Sequence, residues 1–307
     1  MSSLAAELVR SLFCGLPRLE KRMAVFVAAS DETTGATHRD RFMRCGFLAP
    51  VNDWTALTEQ WEMKVLAGPP RICYLHMTDI RSRQWRDEHH LSETEAEHRV
   101  DEAFAVIANW PSLTPIAMTI NSAHLSDTYT KDVLLTSGAK KKFLPDHLAF
   151  TSYAYAAILF CWKYRPDAEK IDFVVEKNGE ITDHIKEFYA GMAIACEANG
   201  HPELISLLGD LIPAGKERVP LQAADLLCWH TQRSEKGTLD TKGIAQYANI
   251  AQRIGEKFEY NESLLTELWE NLHEAEPGLS NLQSSDDNDP ASRPKSGESC
   301  DGSGEES

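Results

Sequence analysis

The stretch that decides how this chain is read is "MAVFVAASDETTG", Met23 to Gly35. Small and β-prone apolar residues run from Met23 to Ala29, the composition of a strand buried in a core. The run then meets Ser30, Asp31 and Glu32. A turn explains one acid at a strand end. Two adjacent acids point to opposite faces, because side chains alternate along a strand, and a turn does not need both.

Working outward, Phe42 to Leu48 reads as the hairpin partner of that strand, across the polar connection "SDETTGATHRDR" with Gly35 in its middle. "NDWTALTEQWEMKVLAG" predicts a helix capped by Asn52 or Asp53, with Trp54, Leu57, Trp61 and Val65 on one face and Gly68, Pro69 and Pro70 as its stop. "RICYLHMTDI" reads as a short strand ending at His76 and Asp79. Ser92 and Glu95 have capping-box spacing ahead of a helix reaching Trp110. "TPIAMTIN" is a strand, and "DHLAFTSYAYAAILFCWKY" a helix apolar enough to be buried on most sides. "EKIDFVVEKNGE" is a strand leading to a turn at Asn178-Gly179. A helix over "ITDHIKEFYAGMAIACEANG" stops at Gly200. "VPLQAADLLCWHTQR" is a strongly patterned helix with Pro220 in its first turn. Weaker helices are expected over Thr241 to Glu256 and Ser263 to His273. Strands interleaved with helices predict an α/β layered domain with extra C-terminal helices.

The chain has 307 residues and a net charge of −16, with 42% hydrophobic and 25% charged residues, ordinary for a globular protein. From Glu274 onward nine acids face two bases, so residues 277–307 are expected to be a disordered acidic tail. Residues 23–276 form the domain, and residues 1–22 an extension ahead of it. Glu7, Arg10 and Arg18 interrupt the apolar start and break a secretory pattern. The longest apolar run, Tyr153 to Trp162, is shorter than the about 20 residues a bilayer needs, so no membrane role is expected. Seven scattered cysteines without a C-x-x-C pair indicate reduced thiols in a cytoplasmic protein. An acidic body is a poor general binder of polyanions. Nucleic acid as a partner would need metal ions and a local basic patch, for which "AKKKFLP", with Lys140 to Lys142, is the dense basic run.

Two further acids sit in apolar settings. Asp225 lies in "LQAADLLCW", with Leu221, Gln222, Cys228 and Trp229 at helical spacing. Alone and ionised there, it is costly. Ala223 and Ala224 allow the helix to approach a sheet closely. Glu176 ends the strand Ile171 to Val175, as Asp31 ends its own; His76 and Asp79 repeat the theme more weakly. Carboxylates converging on one spot raise one another's pKa. A pair of divalent ions relieves that repulsion, and oxygen donors suit Mg2+ or Mn2+. Two such ions about 4 Å apart support phosphodiester hydrolysis.

"SDETTG", "GFLAPVNDW", "LHMTDI", "FVVEKNGE" and "VPLQAADLLCW", in that order, resemble the domain-of-unknown-function family 3800 over roughly residues 23–233. The resemblance implies a ribonuclease H-like mixed sheet flanked by helices. It also implies a carboxylate metal site of Asp31, with Glu32 beside it, Glu176 and Asp225. His76, Asp79 and Gln222 are the candidates of this chain for a supporting layer around it. The chain departs from the family's Asp-Glu-Ser-Gly in carrying Asp-Glu-Thr-Thr, so the turn after the first acid differs.

Plainer readings stand beside these. Asp31 could cap the hairpin loop, and Glu32 could pair with Arg39 or Arg41. Glu176 could precede an ordinary Asn-Gly turn, and Asp225 could be ion-paired with a buried Arg. Thr78 or Asp79 could cap a helix, and Lys140 to Lys142 could be a solvated loop. Two functions follow. One is a metal-dependent nuclease or phosphodiesterase. The other is a non-catalytic ribonuclease H-like module for nucleic acid or a protein partner, its acids salt-bridged rather than metal-loaded.

Overall fold

Alternation along the first strand builds two cores at once. In the computed structural model, which describes residues 24–33, 41–121, 132–134, 140–142, 145–177, 179–198, 200–253 and 256–260, β1 spans Ala24–Thr33 and β2 spans Arg41–Pro50. Val25, Val27 and Ala29 face one core; Phe26 and Ala28 face the other. With both faces buried, a continuous apolar run is what the strand requires. β1 and β2 pair antiparallel, with Asp31 opposite Cys45 and Glu32 opposite Arg44. Gly46 permits the closeness of that pairing, since a Cβ there would lie 1.8 Å from the Ala29 carbonyl oxygen.

β3 (Thr114–Asn121), β6 (Ala168–Glu176), β7 (Leu208–Ala214) and β8 (Glu256–Tyr260) complete a mixed sheet of order β7-β6-β1-β2-β3-β8. β2 pairs antiparallel with both β1 and β3, while β6 is parallel to β1 and to β7. The basic run Lys140–Lys142 is strand β5, paired with β4 (Asp132–Leu134) in a separate ribbon.

One face of the sheet carries α1 (Val51–Trp61), α4 (Glu93–Ala108) and α8 (Val219–Glu235); the other carries α5 (Pro145–Tyr164). Trp54, Leu57, Trp61 and Val65 are all buried, as their spacing predicts. Trp54 Nε1 donates to the Val27 carbonyl at 2.9 Å, fastening α1 to β1. The expected cap at Asn52 or Asp53 does not form: Pro50 precedes the helix, and no side chain caps it. α4 opens with the complete Ser92–Glu95 capping box and ends at Ala108, short of Trp110.

Other boundaries differ more. "RICYLHMTDI" is not a strand. Residues 71–76 run without regular structure into a short helix, α2 (Met77–Arg81), followed by α3 (Arg83–Glu88). The reason is that side chains of α8, not a neighbouring strand, satisfy its backbone: Leu75 N donates to Gln222 Oε1 and Met77 N to Asp225 Oδ2. The helix after β6 breaks at Gly191 into α6 (Gly179–Ala190) and α7 (Met192–Ala198), and Gly200 follows with φ of 75°. α9 (Thr241–Ala251) ends before Glu256, where β8 begins. The extension 1–22, the helix expected over Ser263 to His273 and the acidic tail lie outside the described residues. Cys45, Cys161, Cys196 and Cys228 are buried free thiols, and Cys73 is an exposed one. Among the described residues no helix is long and apolar enough to cross a membrane.

Candidate active site

Helix α8 brings a distant acid to the first strand because its small residues let it sit down on the sheet. Ala223 and Ala224 are fully buried there. Asp31 belongs to the face of β1 that packs on α8, two residues on from Ala29. Along β6, Glu176 falls on the same face as Val174, again two residues on. Asp31 lies within β1, which continues to Thr33, rather than at its end.

Asp31, Glu176 and Asp225 line one small cleft with His76, Lys216 and Gln222. The space between them is about 10 Å³, the scale of a single water molecule. Asp31 and Asp225 face each other in this cleft and act on each other's titration. Burial first, then the charge of Asp225, pushes the Asp31 carboxyl well above its usual range. Burial also raises Asp225, but His76 and the Met77 N–H oppose it. Of the two carboxyls, Asp31 is therefore the one that holds a proton more tightly. Burial raises Glu176 too, while Lys216 and His76 pull it back.

The second layer is built on Gln222. Its Oε1 accepts from Trp61 Nε1 at 2.9 Å and from Leu75 N at 3.0 Å. Its Nε2 donates to the carbonyls of Lys216 and Glu217 at 3.1 and 3.2 Å. One amide thus holds in place both the segment that carries His76 and the loop that carries Lys216. His76 sets Nδ1 3.1 Å from Asp79 and Nε2 3.8 Å from Asp225.

Glu32 stands apart from this group. It points to the other face of the sheet and pairs with Arg44; the Arg39 and Arg41 side chains, its expected partners, lie outside the described residues. The fully buried Arg44 also donates to Ser30 Oγ at 3.1 Å and lies over the Phe150 ring. Among the described residues no Arg pairs with Asp225. Neither Thr78 nor Asp79 caps α2, whose preceding residue is His76.

Lys216 is the member that sequence reading missed. Its Nζ lies 3.4 Å from His76 Nε2 and 4.0 Å from Glu176. It follows β7, a strand that "LGDLIPA" conceals because Gly209 and Pro213 spoil its pattern. Pro213 is tolerated since β7 is the edge of the sheet.

Among the described residues no three His, Cys, Asp or Glu side chains stand close enough to hold a metal ion together. Asp31 and Asp225 are oxygen donors of the kind that hard divalent ions take. No protein family, curated protein or solved structure matches the chain.

Proposed function

We propose that the chain is a metal-dependent phosphodiester hydrolase on a ribonuclease H-like fold, with Asp31, Glu176 and Asp225 at its centre. The observation that carries this reading is the meeting of Asp31 and Asp225, brought together from opposite ends of the domain and buried beside a third acid. Packing alone gives no reason to collect like charges there. The mixed sheet flanked by helices, with acids on its first strand, on a later strand and on a late helix, supports the same reading.

Asp31 and Asp225 would hold Mg2+ or Mn2+, with Glu176 beside them. A bound divalent ion supplies Lewis-acid stabilisation and lowers the pKa of a bound water. For Asp31 to hold such an ion it would have to release its proton to solvent. His76 would present Nε2 toward the cleft for proton transfer, and Lys216 would offer a charged donor to a phosphate oxygen.

Lys216 also favours the second reading, a non-catalytic module, because it places a protein cation among the acids. Hydrolysis of bis(p-nitrophenyl) phosphate and of a short single-stranded oligonucleotide, with Mn2+ and with EDTA, separates the two. Mn2+-dependent turnover that disappears in Asp31→Asn is expected. Absence of turnover, together with a melting midpoint that Mn2+ does not move, leaves the binding module.

A further inference from the structure

A second cavity, of about 440 Å³, lies along α8 beyond the acid cleft, within the usual size range of small-molecule sites. Asp225, Trp229 and Arg233 recur every four residues and so follow one another along one side of α8. At 1.5 Å per residue, Arg233 stands about 12 Å along the axis from Asp225. Two guanidinium groups approach the Trp229 indole: Arg233 Cζ is 4.6 Å and Arg81 Cζ 5.3 Å from its ring centroid. Arg81 arrives on α2, the short helix whose first N–H is fixed by Asp225. The turn that sets His76 in the cleft therefore sets Arg81 in the cavity.

The charges here are not fully matched. Arg81 pairs with Glu97, and Lys242 with Asp101 and Glu97. Asp240 is engaged by the Gly243 N–H at 2.7 Å, capping α9. Arg233 donates to a neutral acceptor, the Thr238 carbonyl, at 3.1 Å, and among the described residues no carboxylate pairs with it. Burial first, then the nearby Arg233, lowers the Arg81 pKa. Burial holds His230, which lines the same cavity, to about 4, so it is neutral at pH 7. Two guanidinium groups thus converge on one indole at the cavity wall, with the Ser82 hydroxyl beside them.

We propose that this cavity is a subsite for a phosphoryl group, held by Arg81 and Arg233 against Trp229. Guanidinium forks match phosphate oxygens in paired hydrogen bonds. The volume exceeds that of a lone phosphate and admits a nucleotide-sized group. The subsite stands on its own geometry, whether or not the acid cleft hydrolyses anything.

Calorimetric titration of the full chain in EDTA tests it, with inorganic phosphate, AMP and a short oligothymidylate as probes. Without divalent ions the acid cleft cannot recruit a phosphate, so failure here leaves the hydrolase reading untouched, and failure of hydrolysis leaves this site untouched. At least one probe is expected to bind, with affinity reduced about tenfold in Arg233→Gln. Equal affinity for AMP and the oligonucleotide identifies a free phosphoryl ligand; a much tighter oligonucleotide identifies a nucleic-acid strand. Salt supplies a readout that needs no variant. Two phosphate contacts by a single strand weaken about sevenfold between about 50 and about 200 mM salt. Binding of none of the probes, equal binding by Arg233→Gln, or affinity indifferent to salt overturns the proposal.

Discussion

The backbone N–H of Met77 donates to Oδ2 of Asp225 at 2.5 Å, so the acid on the last long helix starts the short helix that follows His76. Asp225 therefore serves two partners at once: a backbone donor on one oxygen and the Asp31–His76 group around the other. Asp225→Asn keeps an acceptor for Met77 and removes a charge from the cleft. In EDTA it is expected to melt no lower than wild type, because among the described residues no Arg pairs with Asp225 to be stranded by the change. Wild type should gain about 2.7 kcal/mol from Mn2+ at about a hundredfold excess over its Kd, and the variant should not. Melting curves of both proteins with EDTA and with Mn2+ check this; a metal-independent loss in the variant would sink it.

Asp31 makes stability depend on pH with a definite sign. Its folded pKa lies well above the ordinary 3.8, so the native state holds a proton that the unfolded chain releases. Stability from this group is present in full below pH 3.8 and is lost as pH rises toward the folded pKa. Asp31→Asn is neutral throughout. In EDTA its stability relative to wild type should climb as pH rises from about 4 toward the folded pKa, by about 1.4 kcal/mol for each unit of the shift, and level off above it. A flat difference in urea unfolding across that range counts against it.

Gln222→Leu is expected to be among the most damaging changes near the cleft that touch no charge. It strands the Trp61 and Leu75 donors, each at about 1–3 kcal/mol, and frees the segments carrying His76 and Lys216. The urea midpoint should fall with the m-value unchanged. A variant as stable as wild type would show that water replaces the amide.

Glu32→Gln tests whether the second acid of "SDET" belongs to the site. Removing its charge leaves Arg44 buried without its carboxylate, a loss of about 3–5 kcal/mol. The stabilisation by Mn2+ should survive in full. Loss of the metal response would return Glu32 to the metal site.

Much of this arrangement is legible along the chain. The apolar run Met23 to Ala29, the capping box at Ser92, the buried helix before Arg165 and the Pro220 start of α8 are local patterns, and local chemistry suffices to form them. Asp31, Glu176 and Asp225 also announce themselves, since a carboxylate in an apolar setting needs a reason. Three things were decided only by tertiary contacts. The segment from Arg71 to Met77 forgoes a strand because Gln222 and Asp225, some 150 residues later, accept the N–H groups of Leu75 and Met77. The sheet face separates Glu32 from Asp31 by giving it Arg44 as a partner. Lys216 reaches the acids because β7, an edge strand with no clear pattern of its own, delivers it there. Periodicity reports which face a residue occupies; it carries no information about which distant donor or charge will stand opposite, and that is set by how the layers pack.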